Sequence, residues 1–238
     1  MRIRAYTYID RSVARVGNQW VERSWAAFDG RTASLAVKPA QFDWITGKST
    51  EFRIQTSTGA FGIPELSHIE WSEENSPEGA TLILKRTGDT MQLTTRSFVY
   101  HELPAMLRSH TLINLSREVI VVERMTTDSL AIDQPGVRVR TDLFEKTSES
   151  KVWETEERAA AIEYQTMGFF IGQEKGGRYE LFDPDPGSCS VLAPASFTLG
   201  PGDILHLPRL YIVFYGGPWQ EASRTVFAEV LADLRKAG

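Results

Sequence analysis

Apolar and polar residues alternate with a period of two along most of the chain, the spacing that sends successive side chains to opposite faces of a strand. The alternation is clearest in the middle, where residues 81–85, 91–100 and 106–114 are separated by turn residues and read as consecutive antiparallel strands. Gly88-Asp89 lies between the first two, and predicts a tight hairpin in which the glycine takes a positive φ. Residues 118–126 continue the pattern, with Val119, Val121 and Glu123 on one face and Ile120, Val122 and Arg124 on the other. Shorter strands are predicted over 14–16, 20–28, 33–37 and 52–55, broken by Gly17-Asn18 and Asp29-Gly30. Later ones are predicted over 163–171, 179–182, 190–192, 196–198 and 207–215, with Gly187, Gly200, Pro201 and Gly202 between them. Many short strands with turn signals between them predict an antiparallel all-β sandwich or barrel over residues 1–217.

Residues 218–236 follow another period. Ala222, Val226, Phe227, Val230, Leu231 and Leu234 recur at intervals of three and four, which predicts an amphipathic helix over 218–238 with Pro218 in its first turn and Gly238 beyond its last periodic residue. Such a helix either packs on the β domain or leads into a further one.

Composition narrows the function classes. The 238 residues carry 26 Lys and Arg against 31 Asp and Glu, a net charge of −5, which lacks the basic excess of a nucleic-acid binder. No apolar run approaches the roughly 20 residues of a membrane-spanning helix, and the first residues lack the apolar core of a secretory signal, so a cytoplasmic protein is expected. The single cysteine, Cys189, allows neither an internal disulfide framework nor a cysteine-rich zinc site. His68, His101, His110 and His206 show no metal-ligand spacing, and no cofactor or metal is expected.

The short signatures of common hydrolases, nucleotide binders and metalloproteases are absent. Asn114-Leu115-Ser116 matches a glycosylation sequon and reads here as a turn, and the run Glu154, Glu156, Glu157 reads as solvated charge. Aromatic side chains carry more information, because flat rings stack on the C–H faces of sugars while polar neighbours read the hydroxyls. Trp20, Trp25, Trp44 and Trp71 lie in or beside strand-like segments and read as core. Trp153 sits in the polar stretch 148–158, where a core tryptophan is out of place. Arg108 and His110 share a strand face at i, i+2, so Trp153, Arg108 and His110 form the candidate carbohydrate-binding set. His101 and Glu102 are adjacent, and on a strand their side chains point to opposite faces, so they are not expected to form an acid–base pair.

Three stretches resemble the N-terminal β-supersandwich domain of the α-galactosidase (melibiase) group, glycoside hydrolase family 36. They are GNQWVERSWAAFDGRTASLAVKPAQFDWITGKSTEFRI (17–54), MQLTTRSFVYHELPAMLRSHTLINLSREVIVVERM (91–125), and the pair GFFIGQEKGG (168–177) and LGPGDILHLPRLYIVFYGG (199–217). In the second, Pro104, Arg108 and Asn114 stand where the family's rhythm places them. The resemblance implies a galactose-mutarotase-like supersandwich whose long central strands form a concave face. It also implies that catalytic aspartates belong to a following (β/α)8 barrel, so neither is carried over to a residue here. Met167-Gly168-Phe169-Phe170 stands where the family has a polar stretch near the sugar. The expected function is thus a non-catalytic carbohydrate-associated domain, with a carbohydrate or a glycosidase barrel as partner and room for a homo-oligomer. The alternatives are a small sugar-acting enzyme of the aldose epimerase type, whose acid and base are a histidine and a glutamate, and a structural module that has lost its sugar cleft.

Overall fold

The computed structural model describes residues 4–132, 135–140, 159–173, 188–192, 196–218 and 221–222. A first sheet is a simple meander of β1 (Tyr6–Ile9), β2 (Val13–Gly17), β3 (Val21–Ala26), β4 (Thr32–Val37) and β5 (Phe42–Asp43). A second is built from β6 (Glu51–Thr56), β7 (Gly59–Phe61), β12 (Ile120–Ala131) and β16 (Ser188–Leu192), in the order β16-β12-β6-β7, with β17 (Phe197–Leu199) also on β12.

The largest sheet combines the hairpins of β8 (His68–Asn75), β9 (Gly79–Thr87), β10 (Met91–Tyr100) and β11 (Ala105–Asn114) with later segments. These are β13 (Arg138–Arg140), β14 (Ala159–Tyr164), β15 (Met167–Gln173), β18 (Ile204–His206) and β19 (Leu210–Gly216). Its order is β13-β14-β15-β19-β11-β10-β9-β8, with β18 also on β11, and its pairings are antiparallel.

The core lies between the large sheet and the two smaller ones, because one face of each contributes a continuous apolar stripe. On β9 this stripe is Ala80, Leu82 and Leu84, on β10 Met91, Leu93 and Val99, and on β11 Met106 and Leu112. Register aligns Leu84, Thr95 and His110 in one inward row and Leu82, Ser97, Arg108 and Leu210 in the next. At the other end, Trp44 meets Phe42 at 5.0 Å and Phe169 at 4.9 Å edge-on, which ties the meander to β15.

The opposite face of the large sheet carries a second, smaller apolar cluster of Ala105, Ala161, Phe170, Tyr211, Val213 and Tyr215, with Ala222 packed on it. Gly172 and Gly168 stand opposite Tyr211 and Tyr215 in register, and a Cβ at either would run into the tyrosine ring. The amides of Glu221 and Ala222 donate to the Pro218 carbonyl at 3.0 and 3.1 Å. The remainder of the predicted helix lies outside the described residues, as do the predicted strand 179–182 and Trp153.

Several expectations change in detail. The segment 163–171 is not one strand: Gln165, with φ 54°, turns β14 into β15. Gly88 does not adopt a positive φ; its missing Cβ makes room for the Glu65 carbonyl. Gly30, by contrast, has φ 63° as the β3–β4 turn requires. Asn114 does form a turn. Its buried amide nitrogen donates to the carbonyls of Glu118, Leu199 and Gly200, while its oxygen accepts from the Ser116 amide and hydroxyl. Trp25 and Trp44 are core residues, whereas Trp20 is only half-buried.

Candidate functional site

Arg108 and His110 do share one face of β11, but that face is the interior. They are 3% and 4% exposed, and both turn toward Asp128, which β12 supplies from the opposite sheet. A shift of register places Asp128 inward: β12 bulges between Thr127 and Leu130, and Asp128 takes φ 51° there. One carboxylate oxygen receives Arg23 Nη1 at 2.9 Å and pairs with Arg108; the other lies 3.0 Å from His110 Nε2. His110 Nε2–H donates to Asp128, which leaves Nδ1 to accept the Thr95 hydroxyl at 3.0 Å.

Arg23, fully buried, also donates to Thr32 Oγ1 at 2.7 and 3.0 Å and to Glu51 Oε2 at 3.2 Å. Glu51 in turn accepts the Thr32 amide at 2.7 Å, and its own backbone stands at φ 68°. Both carboxylates that hold Arg23 therefore come from residues in the left-handed region, a conformation costing about 1–2 kcal/mol for a residue with a side chain. The Arg23 and Arg108 guanidiniums lie 5.1 and 5.8 Å from the Trp25 ring, within cation–π range. Arg108 Nε has no hydrogen-bond partner, and its Nη1 meets Asp128 as an ion pair without hydrogen-bond alignment.

Thr95, His110 and Asp128 thus form a hydroxyl–imidazole–carboxylate relay. All three are buried, and two guanidiniums already neutralise the carboxylate, so the relay locks β10, β11 and β12 together and presents no exposed nucleophile. Arg86, on the same side of β9, is 1% exposed and differs. Its Nη1 and Nη2 have no hydrogen-bond partner, and burial draws its pKa down to about 10 against the opposing pull of Glu51 and Asp29.

A polar cleft opens at one end of the sandwich, where three turns meet. It has a volume of about 720 Å³ and is lined by Trp20 from the β2–β3 turn, Glu78 from the β8–β9 turn, Tyr100, His101 and Glu102 at the β10–β11 turn, and Arg4 just before β1. Asn18 fastens two of these turns to each other. Its amide nitrogen donates to the Tyr100 and Leu103 carbonyls at 2.8 Å each, and its oxygen accepts the amides of Trp20 and Val21 at 2.8 and 3.0 Å. The Ser76 hydroxyl accepts the amides of Glu78 and Gly79 at 3.2 Å, which fixes the third.

His101 Nδ1 accepts the Ala5 amide at 3.0 Å. His101 and Glu102 do not point apart as neighbours on a strand would: β10 ends at Tyr100, and both residues line the same cleft. Nor does His101 meet His110 across the hairpin, since His110 stands opposite Thr95. Gly17-Asn18 marks one of these turns in the sequence, but nothing local signals that Trp20 and Glu78 would join His101 here.

No family model matches the chain, and no curated protein matches it. Solved structures do. An α-mannosidase from Enterococcus faecalis V583 superposes with a TM-score of 0.61 and 13% identity over 92% of this chain and 31% of its own. The GH36 α-galactosidase AgaB from Geobacillus stearothermophilus gives 0.56 and 10% over 89% of this chain and 41% of its own. An aldose 1-epimerase candidate from Klebsiella pneumoniae subsp. pneumoniae MGH 78578 gives 0.54 and 10% over 93% and 85%. The fold is the galactose mutarotase-like supersandwich. The supersandwich spans less than half the length of the mannosidase and the galactosidase it matches, and most of the length of the epimerase candidate. Among the described residues, no helix of this supersandwich is long and apolar enough to cross a membrane.

Proposed function

We propose that this supersandwich is a non-catalytic carbohydrate-associated domain that contacts its sugar in the cleft between the three turns. The observation that carries this is the lining: two aromatic side chains, Trp20 and Tyr100, beside Glu78, Glu102, His101 and Arg4 in a volume that suits one or two sugar rings. Rings supply an apolar face for sugar C–H groups, and the charged groups supply acceptors and donors for hydroxyls. The far part of the large sheet's outer face serves this less well, because Tyr211, Tyr215, Phe170 and Ala222 already fill it. Arg108 and His110 then support binding indirectly, by setting β11 against the core. A glycosidase barrel, in the cytoplasm, is the partner this reading favours, in keeping with the partial coverage of the longer glycosidases.

A glycan array followed by sugar titration of the Trp20 indole NMR signal tests the proposal. Trp20→Phe should retain binding and Trp20→Leu should weaken it roughly ten- to a hundredfold, the loss expected for one desolvated ring face. No sugar-dependent shift at Trp20 would overturn it. One observation favours the epimerase alternative: His101 and Glu102 line a common cleft. Polarimetry of α-glucose and α-galactose decides between the two, since catalysed mutarotation lost in His101→Ala would replace binding by epimerisation.

A further inference from the structure

We infer that Arg86 holds a small monovalent anion, chloride, beneath the β3–β4 turn. Its guanidinium is 1% exposed, and neither Nη1 nor Nη2 has a hydrogen-bond partner among the described residues. A guanidinium carries five N–H donors and no acceptor, so only an incoming acceptor satisfies these two nitrogens. Burial lowers the Arg86 pKa only to about 10, which keeps the group a cation at neutral pH. A buried cation calls for an opposite charge as well as for hydrogen bonds, and an anion supplies both where a water supplies one.

The carboxylates near Arg86 are committed to other groups. Glu51 gives one oxygen to the Thr32 amide and the other to Arg23 Nη2 at 3.2 Å. Asp29 gives one oxygen to the Arg31 amide at 3.0 Å and pairs through the other with Arg31 Nε at 3.1 Å. Asp128 is shared by Arg23, Arg108 and the neutral His110. Arg23, Arg31, Arg86 and Arg108 thus face Asp29, Glu51 and Asp128, and the surplus positive charge stays on Arg86, which has no ion pair among the described residues. Gly30, at φ 63°, lies directly over Nη2, where a Cβ would collide with it, and the Phe52 ring stands 5.4 Å from the guanidinium carbon. A group this enclosed suits a single-atom ion of one charge. Arg86 lies near the C-terminal end of β9 and the cleft at its N-terminal end, so the anion is separate from the sugar.

Melting temperatures of the full chain in sodium chloride and in sodium gluconate, at equal ionic strength and pH 7, test this. Gluconate is too large for the place, and the same comparison in Arg86→Met removes the general effect of each salt. A weak site, half filled at about 0.05 M chloride, should make the chloride-minus-gluconate difference roughly 2–4 °C larger in the wild type than in Arg86→Met at about 0.2 M salt. Equal differences in the two proteins would overturn the site. A crystal soaked in sodium bromide locates the ion without any substitution, and so decides the matter even if Arg86→Met fails to fold. An anomalous bromide peak within hydrogen-bond reach of Arg86 Nη1 and Nη2 is expected, and bromide found only at the surface would refute the inference.

Discussion

Arg23 and Arg86 are equally buried yet differently partnered, and replacing each by methionine should give opposite results. Arg23 donates to Asp128, Glu51 and Thr32, and its removal leaves two buried carboxylates short of a cation. Breaking a buried ion pair from one side costs about 3–5 kcal/mol. Asp128 keeps Arg108 and His110, which holds the loss within that range. Arg86 makes no hydrogen bond through either terminal nitrogen, and burial, with a smaller push from Arg31, depresses its pKa. A methionine there discards a desolvated cation whose guanidinium stands 5.4 Å from the Phe52 ring and fills much of the same volume with an apolar side chain, so its effect should lie within about 1 kcal/mol or be stabilising. Urea unfolding followed by tryptophan fluorescence measures both, with equal slopes required before the free energies are compared. At 238 residues, a loss of 3–5 kcal/mol corresponds to a melting-temperature drop on the order of 10 °C. Equal losses at the two positions would refute the reasoning, because they would mean that Arg86 has partners as strong as those of Arg23.

Asn18→Ala removes four hydrogen bonds, two of which join the β2–β3 turn to the β10–β11 turn, and should lower stability by about 2–4 kcal/mol and abolish sugar binding together in the same titration. Gly79→Ala should destabilise measurably in the same unfolding assay, since its Cβ would meet the Val99 carbonyl and the Phe98 ring. Tyr6 has its phenol pushed above the ordinary range, first by burial and then by the Glu22 carboxylate that accepts its proton. A raised pKa means that the neutral phenol is the form the fold favours. The stabilisation is therefore complete below about pH 10, the unfolded value, and is lost as pH rises through the folded one. Ultraviolet titration should show a late-titrating tyrosine that is absent from Tyr6→Phe, and a Tyr6 that ionises with the exposed tyrosines would contradict the assignment.

The strands that the sequence makes legible are those whose two faces differ. β10 and β11 alternate along their length and fall where the alternation puts them, whereas β9 is buried on both faces from Gly79 to Leu84. β8, HIEWSEEN, was not anticipated. It is an edge strand with Ile69 and Trp71 as its only half-buried side chains, and its glutamates face solvent, where they discourage further pairing. The β14–β15 turn was missed for a different reason, since Gln165 and Thr166 lack the glycine or proline that marks a reversal.

The inward face of β11 is less legible, because both of its faces mix apolar and polar residues and a strand can be turned over by one residue. Leu107, Ser109, Thr111 and Ile113 look as suited to a core as Met106, Arg108, His110 and Leu112. What settles the choice is Asp128, whose inward direction comes from a bulge and a positive φ that nothing in Thr127-Asp128-Ser129 announces. A signal did exist, but across strands. Arg23 falls in line with Val21 and Trp25, Arg86 with Leu82 and Leu84, and Arg108 with Met106 and Leu112, so alternation places three arginines on apolar stripes. Buried guanidiniums call for carboxylates, and Arg23 and Arg108 find theirs in Asp128 and, for Arg23, Glu51, whereas Arg86 makes no such hydrogen bond. The cleft had no equivalent signal. Its walls are turns whose positions depend on Asn18 reaching carbonyls more than 80 residues away, a contact that no local pattern encodes.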